Sequence, residues 1–343
     1  MEHGSQRPAT SSREKKISRM KAFRIKGFIL MEIKKYKVAV VQTAPHYPPN
    51  KKASLEKVFQ LIEDASARGA KVIVFPETFV PGYPNWAVEA RPPVAWNRKW
   101  LEFVRESIVV PGPEITQLCQ VAKSVESMVC LGINERDHSN VNSIYNSLVF
   151  ISPEGRLIGK HRKLTPVYRE KVFWTSGSPE DLQCVFSTPF GRVGGLICAE
   201  HLNPVLKSAM MIQREEIHVA CYPGWSLLPR YMMDTSIRQY AIECQCYVLA
   251  SSQYLSGKPD SSDDTDANWD FYGGSGIIDP TGNYIAGPSY NRDEILYAEI
   301  ELEKILERKV WIDVTGKDAR WDVIPFLQKL NADLNSGDSS AKL

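Results

Sequence analysis

The sequence predicts a mixed-sheet α/β or layered α+β single domain. From Tyr36 onward, apolar runs of strand length alternate with segments whose apolar residues recur at helical spacing. Some strand-like runs follow one another directly, as at 144–151 and 155–164, so the sheets are expected to be mixed. After residue 36 no linker-like stretch interrupts this pattern, which favours one continuous domain.

The individual elements follow from periodicity and from turn residues. A strand at 36–42 precedes a helix at 54–69, in which apolar residues recur three and four positions apart and which Gly69 ends. The next predicted elements are a strand at 71–75, helices at 93–107 and 113–126, strands at 128–133, 144–151, 155–164, 184–189 and 193–198, a helix at 204–214, a strand at 217–223, a helix at 232–243 and a strand at 246–252. The remainder is strand-rich, with turn signals at 279–282 and 287–288.

Composition and charge exclude several classes of protein. The 343 residues include 42 basic and 40 acidic side chains, a formal net charge of +2, which gives no electrostatic argument for nucleic acid or a membrane surface. No apolar run approaches the roughly 18 residues of a spanning helix. Seven cysteines without a secretory leader argue against a disulfide framework, and without a Cys-x-x-Cys pair a zinc site has no support. We therefore expect a soluble, cytoplasmic protein without a metal.

Two segments differ from the rest. Residues 1–35 are basic and lack a clear period, so we expect a disordered or mis-assigned N-terminal extension, with a transit peptide as the alternative. The acidic loop 258–270 imitates the alternation of a calcium-binding loop. However, Trp269 stands where the turn glycine is needed and Ser275 where the final glutamate is needed. We interpret this segment as a polar loop.

Three strand-like runs end in an unusual polar residue: Glu77 after 72–75, Lys163 in HRKL, and Cys198 after 193–197. Each alone has an ordinary explanation, a solvated charge at a strand end or a buried structural cysteine. Together they form a set for nucleophilic acyl-type chemistry. A carboxylate in a dry pocket can remove the thiol proton, and a lysine can stabilise the charge that develops on the substrate.

With these residues in their local motifs, the sequence resembles the nitrilase superfamily of carbon–nitrogen hydrolases, and is most like its nitrilase branch. The motifs are ordered blocks along the chain: FPETFVPGYPNW (75–86), HRKLTPVYREKVFW (161–174), Cys198 with Glu200, IHVACYPGW (217–225), GGSGIIDPTGNYIAGP (273–288), LYAEIELEKI (296–305) and GKDARWDV (316–323). The resemblance covers nearly all of 36–325 as one carbon–nitrogen hydrolase domain and leaves 326–343 as a C-terminal tail.

The resemblance implies a four-layer αββα sandwich with a Glu-Lys-Cys triad. It implies Cys198 as nucleophile, Glu77 as general base and Lys163 as electrostatic stabiliser. Glu170, seven residues after the lysine, is implied to position the substrate or Lys163. The implied reaction is hydrolysis of a small organic nitrile to a carboxylic acid and ammonia, without a cofactor, in a homo-oligomer that is a dimer or a larger spiral.

One position departs from the family pattern. Ala199 follows the nucleophile where nitrilases usually have tryptophan, and the small side chain is expected to loosen the pocket beside the thiol. Tyr83 and Trp225, together with Trp86 and Trp174, are candidates for lining that pocket, since binding sites are mostly apolar with few polar groups. Substrate size and the ratio of acid to amide product therefore remain open.

Other functions were weighed against this one. An amidase or carbamoylase of the same superfamily, or a nitrile-hydrating enzyme that releases amide, is the nearest alternative. A catalytically silent interaction protein is disfavoured because all three triad positions are present. A papain-like pairing of Cys198 with His201 or His161 lacks the orienting context that such a site needs, and both histidines are interpreted as supporting residues.

Overall fold

In the part of the chain that the structure describes, two mixed sheets of seven strands each form the centre of the fold. The computed structural model describes residues 35–88, 93–224, 230–256 and 271–335. No helix within these ranges is long and apolar enough to cross a membrane. The predicted N-terminal extension, apart from its last residue, and the polar loop 258–270 lie outside the described residues.

The first sheet contains β1 (Lys35–Gln42), β2 (Ala70–Val74), β3 (Ile108–Val109), β4 (Met128–Arg136), β5 (Ile144–Ile151), β6 (Leu157–Arg162) and β14 (Glu294–Glu301). The second contains β7 (Phe186–Thr188), β8 (Gly191–Ile197), β9 (Ile217–Tyr222), β10 (Tyr247–Ser252), β11 (Tyr254–Leu255), β12 (Phe271–Ile278) and β13 (Tyr284–Tyr290). The helices are α1 (Lys51–Ala67), α2 (Pro93–Glu106), α3 (Pro113–Ser124), α4 (Pro204–Ile212), α5 (Arg230–Cys244), α6 (Glu303–Lys309) and α7 (Ile324–Asn335).

Strand order determines which strand ends meet. The first sheet has the order β14-β1-β2-β4-β5-β6, with β3 beside β4, and the second β11-β12-β10-β9-β8-β7, with β13 beside β12. In the first sheet β1, β2 and β4 are parallel, and two antiparallel pairings, β4 with β5 and β5 with β6, give β6 the direction of β2. The carboxyl ends of β2 and β6 therefore lie at one edge of this sheet.

The two faces of the first sheet bury different sets of side chains. Val38 and Val40 of β1 pack between the sheets, whereas Ala39 and Val41 face the layer that contains α1 and α3. Helices α4 and α5 pack on the second sheet. Burial on both faces explains why the strands read as continuous apolar runs rather than alternating ones. The order of layers is helix, sheet, sheet, helix, and the predicted sandwich fold is confirmed.

Some helix boundaries differ from the predictions for identifiable reasons. The first helix begins at Lys51 rather than at residue 54, because Asn50 caps it and accepts a hydrogen bond from the Ala53 amide at 2.9 Å. Two helices, α6 and α7, were not predicted. Helix α7 has no buried residue, although Leu327, Leu330 and Leu334 recur at helical spacing in its sequence. It overlaps the segment predicted as a C-terminal tail.

Gly132 of β4 permits a close approach of backbone that no other residue would allow. A Cβ atom there would lie 2.2 Å from the Pro76 carbonyl oxygen, 2.6 Å from the Thr78 nitrogen and 2.8 Å from the Glu77 Cα. The turn after β2 therefore lies directly against β4. The missing side chain of Gly132 sets the position of Glu77.

We expect Gly132→Ala to destabilise the protein by about 2 kcal/mol or more, because the added methyl group meets backbone atoms that cannot move independently. Denaturant unfolding would measure this cost. Gly69→Ala is the control: its Cβ has nothing within 4 Å, so only its backbone at φ +87° resists the change, at about 1 kcal/mol. Equal stability losses in the two variants would contradict the steric explanation.

Candidate active site

Glu77 lies in the turn after β2, where the first sheet meets the second. Its carboxyl group is fully buried. Oε1 accepts hydrogen bonds from Asn146 Nδ2 at 2.6 Å and from Lys163 Nζ at 2.9 Å. Its backbone carbonyl accepts a bond from Gln253 Nε2 at 2.7 Å. The second oxygen, Oε2, is buried and has no hydrogen-bond partner within the described parts of the chain, so it is free to accept a proton.

Lys163 follows β6 and extends its ammonium group between two carboxylates. Nζ lies 2.9 Å from Glu77 Oε1 and 2.9 Å from Glu170 Oε2. The side chain is fully buried, and the ammonium lies 5.5 Å from the centre of the Trp174 ring. Its backbone amide donates to the Asn146 carbonyl at 2.8 Å, which continues the sheet ladder and fixes the start of the side chain.

Glu170 is held in the 3₁₀ turn Tyr168–Val172 and is buried. Oε2 accepts from the Val167 amide at 2.8 Å as well as from Lys163. Oε1 accepts from the Tyr83 hydroxyl at 2.9 Å, and the Tyr83 ring packs edge-on against Trp174. Tyr83, which the sequence predicts to line the pocket, holds the Glu170 carboxylate in place through this bond.

Cys198 directly follows β8 and begins the 3₁₀ turn Cys198–Leu202. Its φ is +51°, a left-handed conformation that is unusual for a residue with a side chain. Glu200 fixes this turn to the end of β6. One carboxylate oxygen accepts from the Ile197 amide and from His161 Nε2, both at 2.8 Å, and the other accepts from the Leu164 amide at 2.8 Å. The nucleophile candidate and the lysine candidate are thereby joined.

Burial and neighbouring charges keep the Cys198 thiol protonated and bring the pKa of Glu77 close to neutral pH. Burial raises the pKa of Glu77 to about 7, against the opposing charge of Lys163. Burial acts to lower the pKa of Lys163, but Glu170 and Glu77 outweigh it and hold that pKa well above the usual value. Burial and the Glu77 charge raise the pKa of Cys198 well above normal, although Lys163 opposes them. The thiol therefore needs a base.

A small cavity of about 50 Å³ borders the thiol. Cys198 and Ala199 form part of its wall, so the residue that departs from the family pattern lies beside the nucleophile candidate. The other lining side chains are mainly apolar or aromatic and include Leu202, Tyr222, Met232, Met233 and Tyr272. A cavity of this volume holds a few water molecules or a compact substrate group.

Other candidates from the sequence are placed as follows. Trp225 lies outside the described residues. Trp174 contacts the Lys163 ammonium. Trp86 packs on Trp96 and Phe103, in an aromatic cluster that continues through Phe173 to Trp174. Within the described ranges, no group of three or more His, Cys, Asp or Glu side chains is arranged to hold a metal ion.

Two residues that hold Glu77 were not predicted from the sequence. Asn146 is an ordinary polar residue within β5, and Gln253 follows β10. Neither carries a local signal, because each meets Glu77 only through the pairing of distant strands. For Glu200, its position two residues after Cys198 was the available signal.

Comparisons with known proteins identify the family of this chain. A family model described as carbon–nitrogen hydrolase matches residues 37–309. The chain is 34% identical over 294 residues to a protein named nitrilase from Paraburkholderia phymatum, covering 84% of this chain and 85% of that one. It is 36% identical over 305 residues to a protein named aliphatic nitrilase from Sinorhizobium fredii, covering 85% and 95%.

A solved structure shows the same fold. The crystal structure of Saccharomyces cerevisiae Nit3, a member of branch 10 of the nitrilase superfamily, matches with a TM-score of 0.68 at 23% identity. The match covers 84% of this chain and 97% of that one. Together with the family match, these findings confirm the resemblance found in the motifs: the chain belongs to the carbon–nitrogen hydrolase family, the nitrilase superfamily.

Proposed function

We propose that the protein is a nitrilase that hydrolyses an organic nitrile to the carboxylic acid and ammonia through a covalent intermediate on Cys198. The observation that carries the proposal is the buried set of Glu77, Lys163, Glu170 and Cys198, in which one Glu77 oxygen has no partner within the described parts of the chain. The similarity to proteins named nitrilase supports the choice of a nitrile as the substrate.

In the first step Glu77 removes the thiol proton and Cys198 Sγ adds to the nitrile carbon. The proton passes from Glu77 to the nitrile nitrogen, which gives a thioimidate. Because the pKa of the thiol is raised well above normal, sulfur becomes nucleophilic only as Glu77 takes the proton. The Lys163 ammonium, fixed by two carboxylates, stabilises negative charge that develops on nitrogen.

Two waters complete the reaction. Glu77 removes a proton from the first water, which adds to the thioimidate carbon, and passes that proton to the nitrogen. The new hydroxyl group then gives up its proton to the nitrogen as ammonia leaves, and a thioester remains. A second water hydrolyses the thioester, which releases the acid and restores the thiol. Every step is a proton transfer or an addition–elimination, so the proposed mechanism requires no cofactor.

The tetrahedral intermediate can also expel the thiol, and the product is then an amide. The choice depends on which group the site holds in position to leave. Ala199 lies in the wall of the cavity next to Cys198 and restricts the substrate less than a large aromatic side chain would. We therefore propose that the enzyme releases part of its product as the amide when the nitrile carries an apolar substituent, which matches the cavity wall.

The test of the proposed function is a paired substrate panel. The purified protein is incubated with aliphatic, arylaliphatic and aromatic nitriles and, in parallel, with the corresponding amides. Ammonia, acid and amide are then quantified. We expect ammonia and acid from at least one class of nitrile, with some amide. Turnover of amides without turnover of any nitrile would show an amidase of the same superfamily and contradict the proposal.

The pH dependence tests the assignment of Glu77. The carboxyl group must be unprotonated to accept the thiol proton, and its pKa is about 7. We expect kcat/KM to rise with pH through an apparent pKa of about 7, and to show no alkaline fall below the usual pKa of lysine, since the pKa of Lys163 is held higher. Glu77→Gln should remove most activity. A flat profile between pH 5 and 8 would contradict the assignment.

A further inference from the structure

A buried chain of side chains extends from the nucleophile turn in a direction that the proposed reaction does not use. It contains His201, His218, Glu215 and Tyr240, and we refer to these four residues as the histidine chain. All four are at most 3% exposed. The histidine chain begins at the Cys198 carbonyl group, so it contacts the backbone of the candidate nucleophile. Its interpretation rests on the role proposed above for Cys198.

The hydrogen bonds of the histidine chain are continuous. His201 Nδ1 lies 2.7 Å from the Cys198 carbonyl oxygen, and His201 Nε2 lies 2.9 Å from His218 Nε2. His218 Nδ1 lies 3.0 and 3.2 Å from the two carboxyl oxygens of Glu215. The Tyr240 hydroxyl donates to Glu215, and its ring stacks on His218 at 3.8 Å. Each group in the series has a defined partner.

The direction of each hydrogen bond follows from the first. A carbonyl oxygen only accepts, so His201 Nδ1 must carry a proton. Burial lowers the pKa of His201 well below normal, and the ring is therefore neutral, with Nε2 as an acceptor. His218 Nε2 must then donate to it. The remaining proton lies between His218 Nδ1 and Glu215, and the bond that His218 donates reinforces the tautomer of His201 that the Cys198 carbonyl requires.

The Cys198–Ala199 peptide connects this chain to the reacting sulfur. Its carbonyl group accepts from His201, and its N–H belongs to Ala199. Burial and Glu77 raise the pKa of Cys198, whereas the Ala199 N–H acts to lower it, as expected if it donates toward the thiolate. A hydrogen bond to the carbonyl group of a peptide polarises that peptide and strengthens its N–H as a donor. The same bond helps to hold Cys198 at φ +51°, a conformation that persists only where its surroundings enforce it.

We propose that His201, His218 and Glu215 are positioning residues for the nucleophile, which act together through the Cys198 carbonyl group to orient the turn and to strengthen the Ala199 N–H as a donor to sulfur. The alternative is a set of core histidines that only satisfy one another. The two accounts differ in one respect. Positioning requires that His218 act on Cys198 through His201, whereas a packing role is independent of that link.

Conservative variants separate these accounts. In His201→Asn, the amide nitrogen occupies the place of Nδ1 and can still donate to the Cys198 carbonyl, but it does not reach His218. In His218→Asn, the amide can still donate to Glu215, so no carboxylate is left unpaired, but it does not reach His201. His201→Leu removes the donor to Cys198 altogether. Thermal unfolding of each variant establishes that it is folded.

The readout is the rate at which iodoacetamide alkylates Cys198, followed by peptide mass spectrometry at constant pH. In this reaction sulfur displaces iodide and the thiol proton passes to the base, so no nitrile is needed. Cys119, which is partly exposed on α3, is alkylated in the same samples and serves as the internal control. Its rate should be the same in every variant. Nitrile turnover is measured separately.

We expect His218→Asn to slow alkylation of Cys198 by about tenfold, the size of one hydrogen bond of average strength, and His201→Leu, which removes the donor to the Cys198 carbonyl as well, to slow it further. His201→Asn keeps that donor but loses the link to His218, so it should slow alkylation about as much as His218→Asn. In the His201→Asn background, His218→Asn should cause no further loss, because its connection to Cys198 is already absent. Where nitrile turnover is detected, kcat should fall in parallel while KM changes by less than about twofold.

Three results would overturn the proposal: an equal loss from His218→Asn in both backgrounds, no loss in either, or a parallel loss at Cys119. If His218→Asn does not fold, Tyr240→Phe replaces it and removes only the hydroxyl bond to Glu215. Tyr247→Phe is its matched control, since it removes a buried hydroxyl whose partner is the Glu301 carbonyl at 3.0 Å. Tyr240→Phe should slow alkylation and Tyr247→Phe should not; equal rates would contradict the proposal. If the histidine variants slow alkylation of Cys198 but the protein turns over no nitrile, only the proposed substrate is refuted.

Discussion

The buried Lys163 ammonium, held between the Glu77 and Glu170 carboxylates, is the constraint on which the candidate site depends. Removing these charges from water costs several kcal/mol per ion unless each has close partners. Lys163 therefore cannot be placed without both carboxylates, and Glu170 in turn is fixed by Tyr83 and by the Val167 amide. The same arrangement sets the chemistry. The excess of negative charge disfavours a thiolate, while burial keeps Glu77 poised between protonated and unprotonated forms near neutral pH.

The fold brings these groups together because they lie where strands end. Glu77 follows β2 and Lys163 follows β6, at the same edge of the first sheet, while Cys198 follows β8 of the second sheet. Contacts across the two sheets hold these ends in register: Cys221 Sγ donates to the Phe75 carbonyl at 3.2 Å, and Gln253 donates to the Glu77 carbonyl. The cavity beside Cys198 lies at this junction and is lined mainly by apolar and aromatic side chains.

Much of this could be predicted from sequence because the signals are local. The apolar runs that end at Glu77, Lys163 and Cys198 are visible in a few residues each, and periodicity gives most helices and strands. Glu170 required a known family, since a glutamate in the segment YREKV has no distinctive neighbourhood. The contacts of Glu77 with Asn146 and Gln253, and of Tyr83 with Glu170, could not be predicted. They join residues at least 69 positions apart along the chain and depend on strand register. Helix α7 was missed although Leu327, Leu330 and Leu334 recur at helical spacing, because most of it lies beyond the family motifs and was assigned to a tail.

The role proposed for Cys198 is tested by detecting a covalent bond between its sulfur and the substrate carbon. The protein is mixed with a nitrile that it turns over, quenched in acid at intervals from milliseconds to seconds, digested and analysed by mass spectrometry. We expect a transient mass increase on the peptide that contains Cys198, equal to the mass of the attached imidoyl or acyl group. Cys198→Ala should yield neither adduct nor product while it unfolds at nearly the same temperature. Product formation by Cys198→Ala, or an adduct on another residue, would contradict the account.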